Sequence, residues 1–230
     1  RNDGSSVFTD INAGLLGAQC GSANWGDYDN DGDLDILVNG YYTGSDMATR
    51  VYRNDGNNIF TFVNFGLMNT GYGKSSFGDY DGDGDLDILI TGYTDYGNKA
   101  LIYRNDGDTF ALITNHNILQ YNGYNAFGDY DNDGDLDVLM AGNVGSAGYC
   151  NIYGNNGVGV FSNIASFAVS NPAFPWHISC VRWGDYDGDG DLDVLYCNSN
   201  SGGTGGVTNI YRNNGDGSFT NIDAGLPGLF

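Results

Sequence analysis

Glutamate is absent from these 230 residues, and basic side chains are scarce: eight Lys and Arg stand against 29 aspartates. So few cations exclude nucleic acid as a partner, because phosphates need Lys and Arg to displace their counterions. Alanine, leucine and lysine never cluster at helical spacing, so no run predicts a helix. No apolar run is long enough to span a bilayer, which argues against membrane insertion. The chain carries no signal peptide and does not begin with Met, so it is expected to be a processed or excised segment. Four cysteines, Cys20, Cys150, Cys180 and Cys197, do not match a zinc spacing.

What is abundant is glycine (38), tyrosine (17) and phenylalanine (12), the composition of short strands joined by tight turns. The acidity is local. Trp25-Gly-Asp-Tyr-Asp-Asn-Asp-Gly-Asp-Leu-Asp-Ile-Leu-Val38 packs five aspartates into nine residues, and the pattern returns from Phe77, Phe127 and Trp183. The first aspartates of the four loops sit at 27, 79, 129 and 185, which is 52, 50 and 56 residues apart. Twenty of the 29 aspartates lie in these loops, unlike the diffuse charge of a disordered acidic tail.

Each loop belongs to a larger unit. In the first, residues 20–28 read as a strand leading into the loop. Ile36-Leu37-Val38 is a continuous apolar run, as expected of a strand covered on both faces. Arg50 to Arg53 reads as a third strand, stopped by the turn signal Asn54-Asp55-Gly56. Ile59 to Val63 is a fourth, with alternating large side chains. Tyr103 to Gly107, Tyr153 to Gly157 and Tyr211 to Gly215 repeat the turn of Tyr52 to Gly56. Four antiparallel strands recurring at this length predict an all-β chain of propeller blades, whose apolar faces only neighbouring blades can cover. The chain is read as one repeat domain, 1–230, with repeats at 16–66, 67–116, 117–168 and 169–226.

Residues 1–15 are a surplus outer strand. Val7 to Leu15 matches Phe219 to Leu226, so strand four occurs five times and the others four times. Two readings stay open. The segment finishes a blade of a larger propeller, or it pairs with another copy of the chain by strand addition.

The loop spacing Asp-x-Asp-x-Asp-Gly-Asp-x-Asp places carboxylates on one side of a curved backbone, and the sixth-place glycine permits the sharp turn. In the first loop Asp27, Asp29 and Asp31 are assigned as side-chain ligands, Asp33 as a backbone-carbonyl ligand and Asp35 as the closing carboxylate. The same roles fall on Asp79, Asp81, Asp83, Asp85 and Asp87. They fall again on Asp129, Asp131, Asp133, Asp135 and Asp137, and on Asp185, Asp187, Asp189, Asp191 and Asp193. So many hard oxygens with no nearby Cys or His select Ca²⁺, at four sites. Two bare carboxylates about 4 Å apart repel by roughly 4 kcal/mol at an effective dielectric of about 20. A cation removes that repulsion and staples the first two strands together. Catalysis is not expected, because acid–base work needs one site with unlike pKa values rather than four equal ones. Calcium also suits an oxidising, extracellular setting.

On the Asp loops, the Phe-Gly and Trp-Gly pairs before them and the Tyr-Arg-Asn-Asp-Gly turns, the chain resembles the calcium-binding FG-GAP/VCBS repeats that build the integrin α-subunit propeller. The resemblance covers the whole chain. It implies propeller blades, one Ca²⁺ per loop between the first two strands, and an extracellular or cell-surface location. It implies adhesion, ligand binding or scaffolding rather than a reaction. The third copy departs at Gly154, where the others carry Arg53, Arg104 and Arg212.

Other features are weaker. Residues 162–180 form a longer segment with Pro172, Pro175, Trp176 and His177, read as a long connection or a binding loop. Cys180 and Cys197 are expected on paired strands, which leaves a disulfide open. His116 reads as structural. Tyr41, Tyr42, Tyr93 and Tyr96 read as blade packing or as sugar platforms. Three functions follow in order: a calcium-stabilised extracellular structural or adhesive module that associates with itself by strand addition or meets a surface protein or glycan; a lectin-like glycan-binding propeller; and the non-catalytic propeller part of a polysaccharide-active enzyme.

Overall fold

The structure, a computed structural model, describes residues 1–44, 46–119, 122–144, 147–168, 180–198 and 206–228. It is all-β. A short hairpin, β1 (Asn2–Gly4) and β2 (Val7–Phe8), comes first. Blade one is β3 (Gln19–Gly26), β4 (Asp35–Thr43), β5 (Asp46–Asn54) and β6 (Phe60–Val63). Blade two is β7 (Ser75–Gly78), β8 (Asp87–Thr94), β9 (Gly97–Asn105) and β10 (Phe110–Ile113). Blade three is β11 (Asn122–Gly128), β12 (Asp137–Val144), β13 (Ala147–Asn155) and β14 (Phe161–Ala168). Blade four is β15 (Cys180–Gly184), β16 (Asp193–Asn198), β17 (Val207–Asn213) and β18 (Phe219–Asn221).

Each blade is an antiparallel meander, its strands in chain order. The first strands of successive blades lie side by side, β3 by β7, β7 by β11 and β11 by β15. That arrangement is a β-propeller, with four blades in sequence. The register puts each loop in the same place: Gly26 pairs with Asp35, Gly78 with Asp87, Gly128 with Asp137 and Gly184 with Asp193. The intervening aspartates therefore fill the connection between strands one and two.

The second strands are apolar because both their faces are covered. Ile36, Leu37 and Val38 are buried, as are Ile88, Leu89 and Ile90, and Val138, Leu139 and Met140. Three apolar clusters lie between blades. One joins Tyr28, Leu37 and Val51 to Ile88, Ile90, Leu101 and Tyr103. The next joins Tyr80, Leu89 and Ile102 to Val138, Met140, Tyr153 and Phe161. The third joins Tyr130, Leu139 and Ile152 to Val181, Val194 and Tyr196. Leu195 occupies the place of Leu37, Leu89 and Leu139 but is 42% exposed. Among the described residues no blade covers that face.

The terminal hairpin is built like the end of a blade. The Arg1 guanidinium donates to Asp3, which also accepts from the Thr9 hydroxyl. Arg53, Asp55 and Thr61 make the same turn in blade one. The hairpin pairs with no other strand among the described residues. Pro172, Pro175, Trp176 and His177 lie outside the described residues; the preceding residues of that segment, to Ala168, continue β14.

Candidate metal centres

Four carboxylate groups stand at equivalent places. Asp27, Asp29 and Asp35 bring ligand oxygens within 4.8 Å of one another, as do Asp79, Asp81 and Asp87 in blade two. Asp129, Asp131 and Asp137, and Asp185, Asp187 and Asp193, complete the set. These are the first, third and ninth places of the nine-residue pattern.

The ninth-place aspartate is held most firmly. Asp87 begins β8 and is fully buried. Its Oδ2 accepts the Tyr80 backbone N–H at 3.0 Å and its Oδ1 accepts the Asn105 N–H at 2.7 Å. Asp35, Asp137 and Asp193 each take the same pair of amides. The side chain thus ties the loop to the end of strand three before any ion is considered. The first-place aspartate shapes the loop from inside. Asp27 accepts the N–H groups of Asp31 and Gly32, and Asp79 and Asp129 repeat this.

Two positions in each loop need a left-handed backbone. Gly32, Gly84, Gly134 and Gly190 have φ between 93° and 96°. The fourth place is also left-handed, at Asn30, Gly82, Asn132 and Gly188. Asparagine and glycine are the residues that reach this region at least cost, which explains why only they occur there.

The fifth and seventh places behave differently from the third. Asp31 turns its Oδ1 to the Asp33 N–H at 2.8 Å, and Asp83, Asp133 and Asp189 do likewise. Their carboxylates are not brought into the three-oxygen groups. Two seventh-place side chains leave the loop: Asp85 accepts from Asn30 of the preceding blade and Asp191 from Asn132. That orientation turns Asp85 and Asp191 away from the carboxylate clusters of their own loops.

Electrostatics fit a cation. Burial pushes Asp35 up to about 6, and Asp87 and Asp137 up to about 7, and neighbouring aspartates add to each. Asp29, Asp81 and Asp131 are raised by burial and then by the carboxylates beside them. Asp81 Oδ1 is buried with no hydrogen-bond partner. The nearest guanidiniums are spent elsewhere: Arg53 pairs with Asp55, and Arg104 with Asp106, both at 2.7 Å. An all-oxygen set with an unpartnered buried carboxylate oxygen suits a hard divalent cation such as Ca²⁺.

The asparagine of each turn, Asn54, Asn105, Asn155 and Asn213, has a role beyond the turn that the sequence pattern did not reveal. Asn105 donates its side-chain amide to the Tyr28 carbonyl of blade one at 2.8 Å. Asn155 reaches Tyr80 at 2.6 Å and Asn213 reaches Tyr130 at 2.7 Å. One residue thus joins its own aspartate loop, through the ninth-place aspartate, to the loop of the blade before. Its recurrence in all four turns was the available signal.

This combination of blade, loop and turn matches the FG-GAP-like repeat family over residues 41–90, 79–140, 129–196 and 185–229. The chain belongs to that family. No curated protein matches it. A fructofuranosidase variant from Schwanniomyces occidentalis, solved with fructosylnystose, is similar in structure at 11% identity and a TM-score of 0.48. That match covers 83% of this chain and 43% of the fructofuranosidase, so the chain spans under half the length of that protein.

Among these FG-GAP-like repeats the arginine tie varies. Arg212 meets Asn214 rather than an aspartate, at 3.2 Å. Blade three has none, and Ile164 packs beside Gly154 instead. Cys180 and Cys197 face each other in register, with free thiols. His116 is buried, its Nδ1 accepting the Ile118 N–H at 3.1 Å, and burial lowers its pKa. Tyr41 packs against Tyr72, whereas Tyr42, Tyr93 and Tyr96 are exposed.

Proposed function

We propose that the chain is a calcium-stabilised extracellular structural or adhesive module, in which the ions serve the fold and binding is done by other surfaces. The observation that carries this reading is the four-fold clustering of carboxylates, each cluster built on one buried aspartate, together with the unpartnered Asp81 Oδ1. Ca²⁺ bound there would neutralise the charge concentrated between strands one and two of every blade. Asp27, Asp29 and Asp35 would hold it in blade one, with the Asp33 carbonyl as a further oxygen; the fifth-place Asp31 would join only by turning away from the Asp33 N–H. Four such ions would change the formal charge from −21 to −13. No reaction is assigned, since four equivalent sites offer no acid paired with a distinct base.

Melting the protein in calcium and in chelator tests the reading. Each site saturated about 1,000-fold over its Kd adds on the order of 4 kcal/mol. A melting temperature that ignores calcium sinks it. A second reading, glycan binding, is favoured by the exposed rings of Tyr42, Tyr93 and Tyr96 on blades one and two. A glycan array decides it: binding that is lost in Tyr96→Ala supports a lectin role, and no binding removes it.

A further inference from the structure

Two of the four cysteines meet. Cys180 on β15 pairs directly with Cys197 on β16, in the register that also pairs Gly184 with Asp193. Both are half-buried, and a hydrogen bond joins their side chains. Neither of the other cysteines stands opposite a thiol. Cys150 is fully buried on β13, between Ala141 and Phe167, and Cys20 is exposed in the irregular stretch of β3.

The same place in the hairpin is tied in other blades. In blade one Ser22 stands opposite Asn39, whose Oδ1 accepts the Ser22 N–H at 3.2 Å and the Ser22 hydroxyl at 2.6 Å. In blade two the Thr91 hydroxyl oxygen accepts the Lys74 N–H at 3.4 Å. In blade four the Cys197 sulfur accepts the Cys180 N–H. Blade three sets Tyr124 opposite Ala141, which has no polar group to offer. A strand-two side chain thus holds the strand-one backbone in three blades, at the end of the hairpin away from the aspartate loop. Sulfur is a weak acceptor, so the thiol makes the poorest of these ties.

Covalent geometry is within reach. Directly opposed residues of an antiparallel pair have Cα atoms about 4.5–5.5 Å apart, inside the range of about 4.4–6.8 Å that a disulfide spans. We propose that Cys180 and Cys197 are a disulfide site, and that the bond clasps blade four at the end opposite its aspartate loop. The inference rests on strand register and is independent of the calcium reading.

The oxidant it requires is a small external disulfide. The thiolate of one cysteine attacks a sulfur of that disulfide, releases one thiol and leaves a mixed disulfide on the protein. The second cysteine attacks the mixed disulfide and releases the other thiol. Two protein thiols are oxidised, one external disulfide is reduced to two thiols, and the two protons pass to these. Burial pushes the Cys197 thiol up and the Cys180 thiol adds to this, while Arg182 opposes both. Lys74 also feels Cys180. These two cations favour the attacking thiolate.

Incubating the full chain with oxidised glutathione, then alkylating and mapping its peptides, tests this. Cys180 and Cys197 should disappear together from the free thiols and reappear linked within one chain, while Cys150 stays reduced. Closing the loop between them should raise the melting temperature by about 5 °C or more, in chelator as in calcium. Cys197→Ser, which keeps an acceptor at the place of Thr91, should abolish that rise, and Cys20→Ser should keep it. Cys180 and Cys197 that stay free, or that stop at the glutathione adduct, overturn the proposal. So does a link from either one to Cys20, to Cys150 or to a second chain. A bond that forms and leaves melting unchanged overturns the clasp. Melting that answers to oxidation but not to calcium would remove the calcium reading alone.

Discussion

The Asn155 side-chain amide of blade three donates to the Tyr80 carbonyl of blade two at 2.6 Å, across 75 positions of sequence. The group it satisfies is buried, so removing the donor leaves a carbonyl unpaired, at a cost of about 1–3 kcal/mol. Asn155→Ala should lower the melting temperature by several degrees. Asn54→Ala is the control. Asn54 makes the bond to its own loop, Leu34 O at 3.1 Å, but reaches no earlier loop among the described residues. A smaller loss in Asn54→Ala is expected by differential scanning fluorimetry. Equal losses would assign the effect to the turn alone.

Close approach at the blade interfaces gives a second prediction. Gly128→Ala would put a methyl group 2.5 Å from Trp183 Cδ1, against a side chain wedged between blades. Overpacking of this kind costs typically 1–3 kcal/mol. A lowered denaturant midpoint, read from urea unfolding, is the expected result.

The five aspartates of a loop divide their work, and stoichiometry reads the division. Asp87→Asn removes a buried charge and one of two acceptors, so calorimetric titration should find three calcium ions bound instead of four. Asp85→Asn alters a side chain that leaves the loop to meet Asn30, and should keep four. Loss of an ion in Asp85→Asn would contradict the assignment of the seventh place to its carbonyl.

Arg104 and Asp106 form an exposed ion pair two residues apart. Such pairs contribute about 0–1 kcal/mol because water screens them. Arg104→Ala should therefore shift melting by no more than about 2–4 °C. This small contribution also explains how blade three manages with Gly154.

The strands and loops were legible in the sequence because they are local. Ile36 to Val38 announced a strand covered on both faces, and Gly32 announced the bend of its loop. The turn Asn54-Asp55-Gly56 marked where strand three stops. What stayed hidden depends on contacts between distant residues. Asn105 looked like a turn former, and its reach to Tyr28 requires two blades already in place. Asp31 looked like an equal of Asp29. The difference lies in which backbone N–H comes within its range, and that is set by the fourth-place turn at Asn30. The exposure of Leu195 could not be read either, since its sequence context matches that of Leu139.

Asn105 touches two metal loops at once, its N–H on Asp87 and its amide on the Tyr28 carbonyl. An ion lost at one of these candidate sites would be felt at the next, and the blades would act as a chain of coupled switches rather than four independent buffers. Such an array frays. Among the described residues no asparagine reaches the Tyr186 carbonyl, so in this chain the loop of blade four should be the first to exchange its ion as calcium falls. The interior loops should follow together, over a narrower range of concentration.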